Sequence, residues 1–172
     1  MKKFVLLIVM FVMFNGIAQI GGRVEFNGSY DKYKVHNNYV DYEAFEPRRS
    51  VEGSALNVNF SGIYKFKSNI TAGVGLGIDN IISSLGNTNQ DLTAFVRLGY
   101  DFKSNICAVE VIYGFLTSYE DNYFVKPTIN LNISNDFMVS VGYIYRRAEL
   151  SYNTYVTSNG VNVGISYLIG RK

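Results

Sequence analysis

From Ser54 to Asp79 the chain alternates with a period of two. Ser54, Leu56, Val58, Phe60, Gly62, Tyr64 and Phe66 are apolar, aromatic or small, and Ala55, Asn57, Asn59, Ser61, Ile63 and Lys65 between them are mostly polar. After Lys67-Ser68-Asn69 the alternation resumes as Ile70, Ala72, Val74, Leu76 and Ile78 against Thr71, Gly73, Gly75, Gly77 and Asp79. Successive side chains of a strand point to opposite faces, so this stretch reads as a β-hairpin with one apolar and one polar face. No helix periodicity fits it.

The same unit recurs. Tyr64-Lys65-Phe66-Lys67-Ser68-Asn69-Ile70 is echoed by Tyr100-Asp101-Phe102-Lys103-Ser104-Asn105-Ile106, and Ser134-Asn135-Asp136 is a looser copy of the turn. Alternating segments are expected at about 20–31, 54–66, 70–79, 91–102, 106–115, 123–133, 137–146 and 161–169. Three short turns and four longer loops then alternate, the loops being 32–53, 80–90, 116–122 and 147–159. All the short turns fall at one end of the sheet and all the long loops at the other. Pro127 has no N–H to give to a ladder, so a bulge is expected there.

The strand after the second turn is ambiguous. If that turn copies the first, Glu110 falls on the apolar face, and an unpaired carboxylate there costs several kcal/mol. A one-residue slip exchanges the faces. A turn shortened to Lys103-Ser104 sets Arg97 opposite Glu110 and Leu98 opposite Val109, and this register is the expected one.

Which face is inside does not follow from alternation. Seven of the eight apolar faces carry no charge. Aromatics collect at both ends of those faces: Tyr64, Phe66, Tyr100, Phe102, Phe137 and Tyr167 by the turns, Tyr30, Tyr123, Tyr143 and Tyr145 by the loops. The polar face holds both signs of charge, with Arg23, Lys65, Arg97, Lys126 and Arg146 against Glu25, Asp31, Asp79, Asp101 and Glu110. Apolar outside, mixed charge inside and two aromatic girdles are the pattern of a bilayer-spanning barrel. The fold class expected is therefore all-β, an eight-stranded antiparallel up-and-down transmembrane β-barrel over residues 19–172. A soluble, exported lipocalin-like carrier with the apolar face inward is the competing reading.

Residues 1–18 look like a secretory signal peptide. Lys2 and Lys3 precede the apolar run Phe4 to Phe14, and Gly16-Ile17-Ala18 offers small residues at a cleavage site. The formal net charge of +2 is carried by those two lysines, so the remainder is neutral and gives no support to a nucleic-acid partner. Cys107 is the single cysteine, which rules out a disulfide within the chain and reads as a packing residue.

Signal, eight amphipathic strands, short turns, long loops and the closing strand Gly164-Ile165-Ser166-Tyr167-Leu168-Ile169 resemble the small outer-membrane barrels of the OmpA/OmpX type. That resemblance implies a Gram-negative outer membrane, with short turns and termini periplasmic and long loops outside the cell. It implies contact with outer-membrane lipids and lipopolysaccharide, and a monomer.

For chemistry, a polar network is expected in the lumen from Arg23, Glu25, Arg97, Asp101, Glu110, Lys126 and Arg146, with Arg97 meeting Glu110 or Asp101 and Arg23 meeting Glu25. Gly73, Gly75 and Gly77 leave room for long side chains such as Arg97. His36 is the only histidine, which excludes a multi-histidine metal site, and no cofactor motif occurs. Certain outer-membrane barrels modify lipid A with a histidine, a serine and a carboxylate. His36 with Asp79, Ser83 and Ser84 is the nearest equivalent, but the spacing matches no motif, and no catalysis is expected. Tyr33, His36, Tyr39, Tyr42, Phe45, Arg48 and Arg49 in the first loop, with Tyr152 and Tyr155 in the fourth, combine aromatic area with hydrogen-bonding groups. That suits either recognition of an extracellular ligand or a lipopolysaccharide-facing collar.

Overall fold

The computed structural model describes residues 19–37, 51–83, 88–102, 106–116, 122–151 and 154–170. They form eight strands: β1 (Gln19–Asn37), β2 (Val51–Lys65), β3 (Ile70–Ser83), β4 (Thr88–Asp101), β5 (Cys107–Leu116), β6 (Tyr123–Asn132), β7 (Phe137–Ser151) and β8 (Thr154–Ile169). Each pairs antiparallel with its sequence neighbour, and β8 pairs with β1, so the sheet is a closed up-and-down barrel with no free edge. Hydrocarbon offers nothing to hydrogen-bond an open edge, and closure removes the problem.

Following paired residues around the barrel from Val24 leads through Phe60, Leu76, Ala94, Phe115, Tyr123, Arg147 and Thr157 to Lys34, ten residues further along β1. With the usual strand rise and spacing, eight strands at that stagger tilt about 40° and enclose a lumen that side chains can fill.

Burial settles the faces. On β5 buried and exposed residues alternate without a break from Ala108 to Leu116. Leu76 is 67 % exposed and Leu98 61 %, whereas Glu25 is 2 % and Arg97 3 % exposed. The apolar face is outside and the charged face inside, the inverse of a soluble barrel. Aromatics ring both rims of the apolar belt. Tyr64–Phe66, Tyr100–Phe102 and Phe137–Tyr167 touch at centroid distances of 4.7, 5.5 and 5.2 Å by the turns, and Tyr113–Tyr123 and Tyr123–Tyr145 at 6.1 Å by the loops.

Three expectations are corrected. The turn between β4 and β5 is lengthened, not shortened: the Phe102 N–H donates to the Cys107 carbonyl, whereas in the first turn the Phe66 N–H donates to Ile70. Glu110 therefore faces Gly99, Val111 faces Leu98, and Arg97 faces Ile112. Either slip turns Glu110 inward. The observed one puts Arg97 and Glu110 on a diagonal, a separation of about 7–8 Å that suits a long arginine better than direct opposition.

Pro127 makes no bulge. The β6–β7 ladder lapses between Val125–Tyr145 and Thr128–Gly142 but resumes in the same register. The register shift of β7 lies instead between Glu149 and Ser151. Finally, much of the first and fourth loops is strand, because β1 runs on to Asn37, β7 to Ser151, and β8 starts at Thr154. The polar residues beyond the belt had hidden this continuation.

Candidate functional site

The lumen holds two groups of charges. Near the turn-side half, Arg23 donates to Glu110 at 2.9 Å and lies 3.7 Å from Glu25. Arg97 bonds Glu25 directly and reaches Glu110 at 3.4 Å. Asn130 donates its amide to Glu110 at 3.3 Å. Two arginines thus share two carboxylates contributed by β1, β4 and β5. The long Arg97 side chain fits because β3 carries glycine beside it: a Cβ on Gly73 would stand 2.9 Å from Arg97 Cγ. Gly75 makes the same concession to the Phe95 ring.

Nearer the loops, Arg146 donates from Nη1 to Asp31 at 2.6 Å and from Nε to Asp79 at 3.1 Å. The hydroxyls of Ser29 and Tyr33 also donate to Asp31, at 3.0 and 3.2 Å. At the turn-side mouth Lys65 and Asp101 pair at 2.6 Å. A cavity of about 60 Å³ lies beside them, lined also by Thr71, Asn132, Met138 and Leu168.

Between the two charge groups sits an apolar cluster of Phe95, Ile112, Phe124 and Ile144, each 7 % exposed or less. Each lies two positions along its strand from a lumen charge: Arg97, Glu110, Lys126 and Arg146 respectively. Lys126, 4 % exposed, is on the same inward face of β6.

All seven residues expected in the lumen network face inward. Arg23, Glu25, Arg97 and Glu110 come together. Arg146 belongs to the separate upper group, and Asp101 pairs with Lys65 rather than Arg97. Asp31 and Asp79, which the sequence places on the charged face, were not counted in the expected network, and the apolar cluster was not singled out from sequence. The signal for the cluster was available, since Phe95, Ile112, Phe124 and Ile144 are large apolar residues on the face that carries the charges, as are Leu116, Met138 and Leu168 nearer its ends.

The surface residues fare differently. Tyr33 is in β1 and bonds Asp31. His36 is also in β1, its Cα paired with that of Tyr155 in β8. Tyr155 carries the Arg147 guanidinium 4.6 Å over its ring. Tyr39, Tyr42, Phe45, Arg48, Arg49 and Tyr152 lie outside the described residues, as does Ser84. Of the histidine–serine–carboxylate set, His36 is on β1 and Asp79 and Ser83 are on β3, with β2 between, and Asp79 bonds Arg146. No group of three metal-ligating side chains occurs among the described residues.

A closed sheet, an apolar belt facing out, aromatic rims and a charge-lined lumen define a transmembrane β-barrel, of the small eight-stranded kind. No protein-family model matches the chain, and no curated protein does. Among solved structures it is similar to Neisserial surface protein A, at 12 % identity and a TM-score of 0.46, covering 84 % of this chain and 96 % of that one. It is similar to outer membrane protein AlkL in DMPC lipid bilayers, at 16 % identity and TM-score 0.49, covering 90 % and 92 %. OprG from Pseudomonas aeruginosa is similar at 10 % identity and TM-score 0.42, covering 90 % and 98 %. These are likenesses of fold. The barrel's class follows from its own register and burial.

Proposed function

We propose that this chain is an exported, monomeric outer-membrane barrel, without catalysis, that serves envelope structure and surface contact. Its short turns and termini are periplasmic and its long connections extracellular, where they meet lipopolysaccharide. The lumen is a packed polar core and not a conduit. The observation that carries this reading is the inversion of faces: Arg23, Glu25, Arg97, Glu110 and Arg146 are under 10 % exposed inside, and Leu56, Val74, Leu76 and Leu98 are over half exposed outside. Among the described residues, five lumenal cations, Arg23, Lys65, Arg97, Lys126 and Arg146, stand among six carboxylates, Glu25, Asp31, Asp79, Asp91, Asp101 and Glu110. Such a set neutralises itself nearly completely, and the Phe95–Ile112–Phe124–Ile144 cluster lies across the path.

The tests are direct. Purified protein should need detergent, migrate differently on gels before and after heating, and give no sustained conductance in a planar bilayer. A protein soluble without detergent refutes the membrane reading, and steady conductance refutes the closed lumen. Lipid A of unchanged mass on expression is the expected result for the absence of catalysis.

A further inference from the structure

We propose that the outer face of β7, β8 and β1, immediately beyond the loop-side girdle, is a binding surface for the phosphate groups of an anionic lipid. The inference rests on the membrane reading above and adds a sector and a ligand chemistry to it. Lys34, Thr157 and Arg147 are successive Cα partners across β1, β8 and β7. Lys34 and Arg147 are therefore two strand spacings apart, roughly 10 Å. Lys32 stands two residues below Lys34, roughly 7 Å away, with Asn159 as its partner on β8.

All three cations point outward. Lys32 and Lys34 are exposed and share the face of Phe26 and Tyr30; Arg147 shares the face of Val141 and Tyr143. The Arg147 guanidinium is held over the Tyr155 ring at 4.6 Å. The patch begins where the girdle ends: Tyr30 is two residues before Lys32, and Tyr123 is the Cα partner of Arg147. Cations at that depth lie level with lipid headgroups, while aliphatic residues below them contact acyl chains.

The patch is also one-sided. Among the described residues, no other cation faces outward at this end. The corresponding outward residues on β3 to β6 are Ile82, Gln90, Leu92, Tyr113, Phe115 and Tyr123. The carboxylate beside the patch, Glu52, accepts the Tyr30 hydroxyl and stands next to Lys32. Glu149, whose Cα pairs with Tyr155, lies a row further from the belt. Three cations with Cα atoms roughly 7–12 Å apart can engage two phosphates of one headgroup, with charge-assisted hydrogen bonds from arginine and point charges from lysine.

The test uses the full barrel folded in dodecylmaltoside micelles, with folding verified by heat-modifiable migration. Bis-phosphorylated lipid A is titrated in and bound lipid is counted by native mass spectrometry; phosphatidylcholine and inorganic phosphate are the comparison probes. Wild-type protein should bind lipid A saturably. Each of K32Q, K34Q and R147Q should weaken binding about fivefold and the triple variant about a hundredfold. K67Q, in a turn at the opposite end, should change nothing. Undiminished binding by the folded triple variant, equal binding of phosphatidylcholine, or displacement by equimolar inorganic phosphate each overturn the proposal. If the triple variant alone does not fold, the single variants decide. A wild-type protein that fails to fold in detergent overturns the membrane reading itself.

Discussion

Replacing Arg97 by methionine tests whether the lumen is held together by shared ion pairs. Arg97 is 3 % exposed and touches two carboxylates, Glu25 and Glu110, that are themselves 2 % and 4 % exposed. Methionine keeps the unbranched stem but removes the guanidinium, which lies 5.3 Å over the Phe95 ring. It leaves two buried negative charges to share Arg23 and the more distant charge of Lys126. Removing one partner of a buried pair costs about 3–5 kcal/mol. Arg23 already stands 2.9 Å from Glu110 and 3.7 Å from Glu25, so the lower end, about 3 kcal/mol, is expected here.

Unfolding by urea from lipid vesicles, followed by far-UV circular dichroism because the chain has no tryptophan, measures the loss. Adding Glu25→Gln to the methionine variant removes the surplus charge. The double variant should therefore be more stable than the sum of the two single losses predicts, by about 1–3 kcal/mol. A single-variant cost below about 1 kcal/mol, or strict additivity, would refute the shared-pair reasoning.

Three further outcomes are expected. Leu76→Arg, in the middle of the outer belt, should cost about 2–4 kcal/mol in vesicles, and Tyr30→Arg at the girdle no more than about 1; equal costs would deny that the apolar face lies in lipid. Gly114→Ala should destabilise by about 1–3 kcal/mol, because the new Cβ meets the Phe124 ring and comes within 2.8 Å of Phe95 Cβ. Adding Phe124→Leu should recover part of that loss, and no recovery would place the strain elsewhere. Phe95→Ala with Phe124→Ala removes both rings of the lumen cluster and should raise ion leakage across vesicles above the unmodified barrel; unchanged leakage would show that the charge groups alone close the path.

Strand existence and facing were legible because one face lies in lipid and the other in a crowded polar lumen. Leu56, Val58 and Phe60 could not exchange faces with Asn57 and Asn59 without burying amides in hydrocarbon. Strand ends were not legible for the same reason. Past the belt Lys32 and Lys34 replace the apolar outward residues of β1, and Val35 and Val156 stand singly among polar neighbours, so Lys32 to Asn37 and Thr154 to Asn159 lose the contrast that marks a strand and read as loop. The Pro127 bulge failed as an expectation because a missing N–H can be absorbed as a local lapse in the ladder without a change of register.

The chain by itself determined that eight amphipathic strands close into a barrel, that the apolar face is outside, and that Glu110 points inward. Each follows from side-chain period, from the aromatics at both ends of the apolar faces or from the cost of a misplaced charge, which are local quantities. Only the tertiary structure decided who meets whom. The β4–β5 turn sets Glu110 opposite Gly99 rather than Arg97, and the ten-residue stagger carries Arg23 from β1 to Glu110 on β5 and Arg146 from β7 to Asp31 on β1. Cross-lumen partners depend on the sum of every register around the barrel, and no single strand carries that sum.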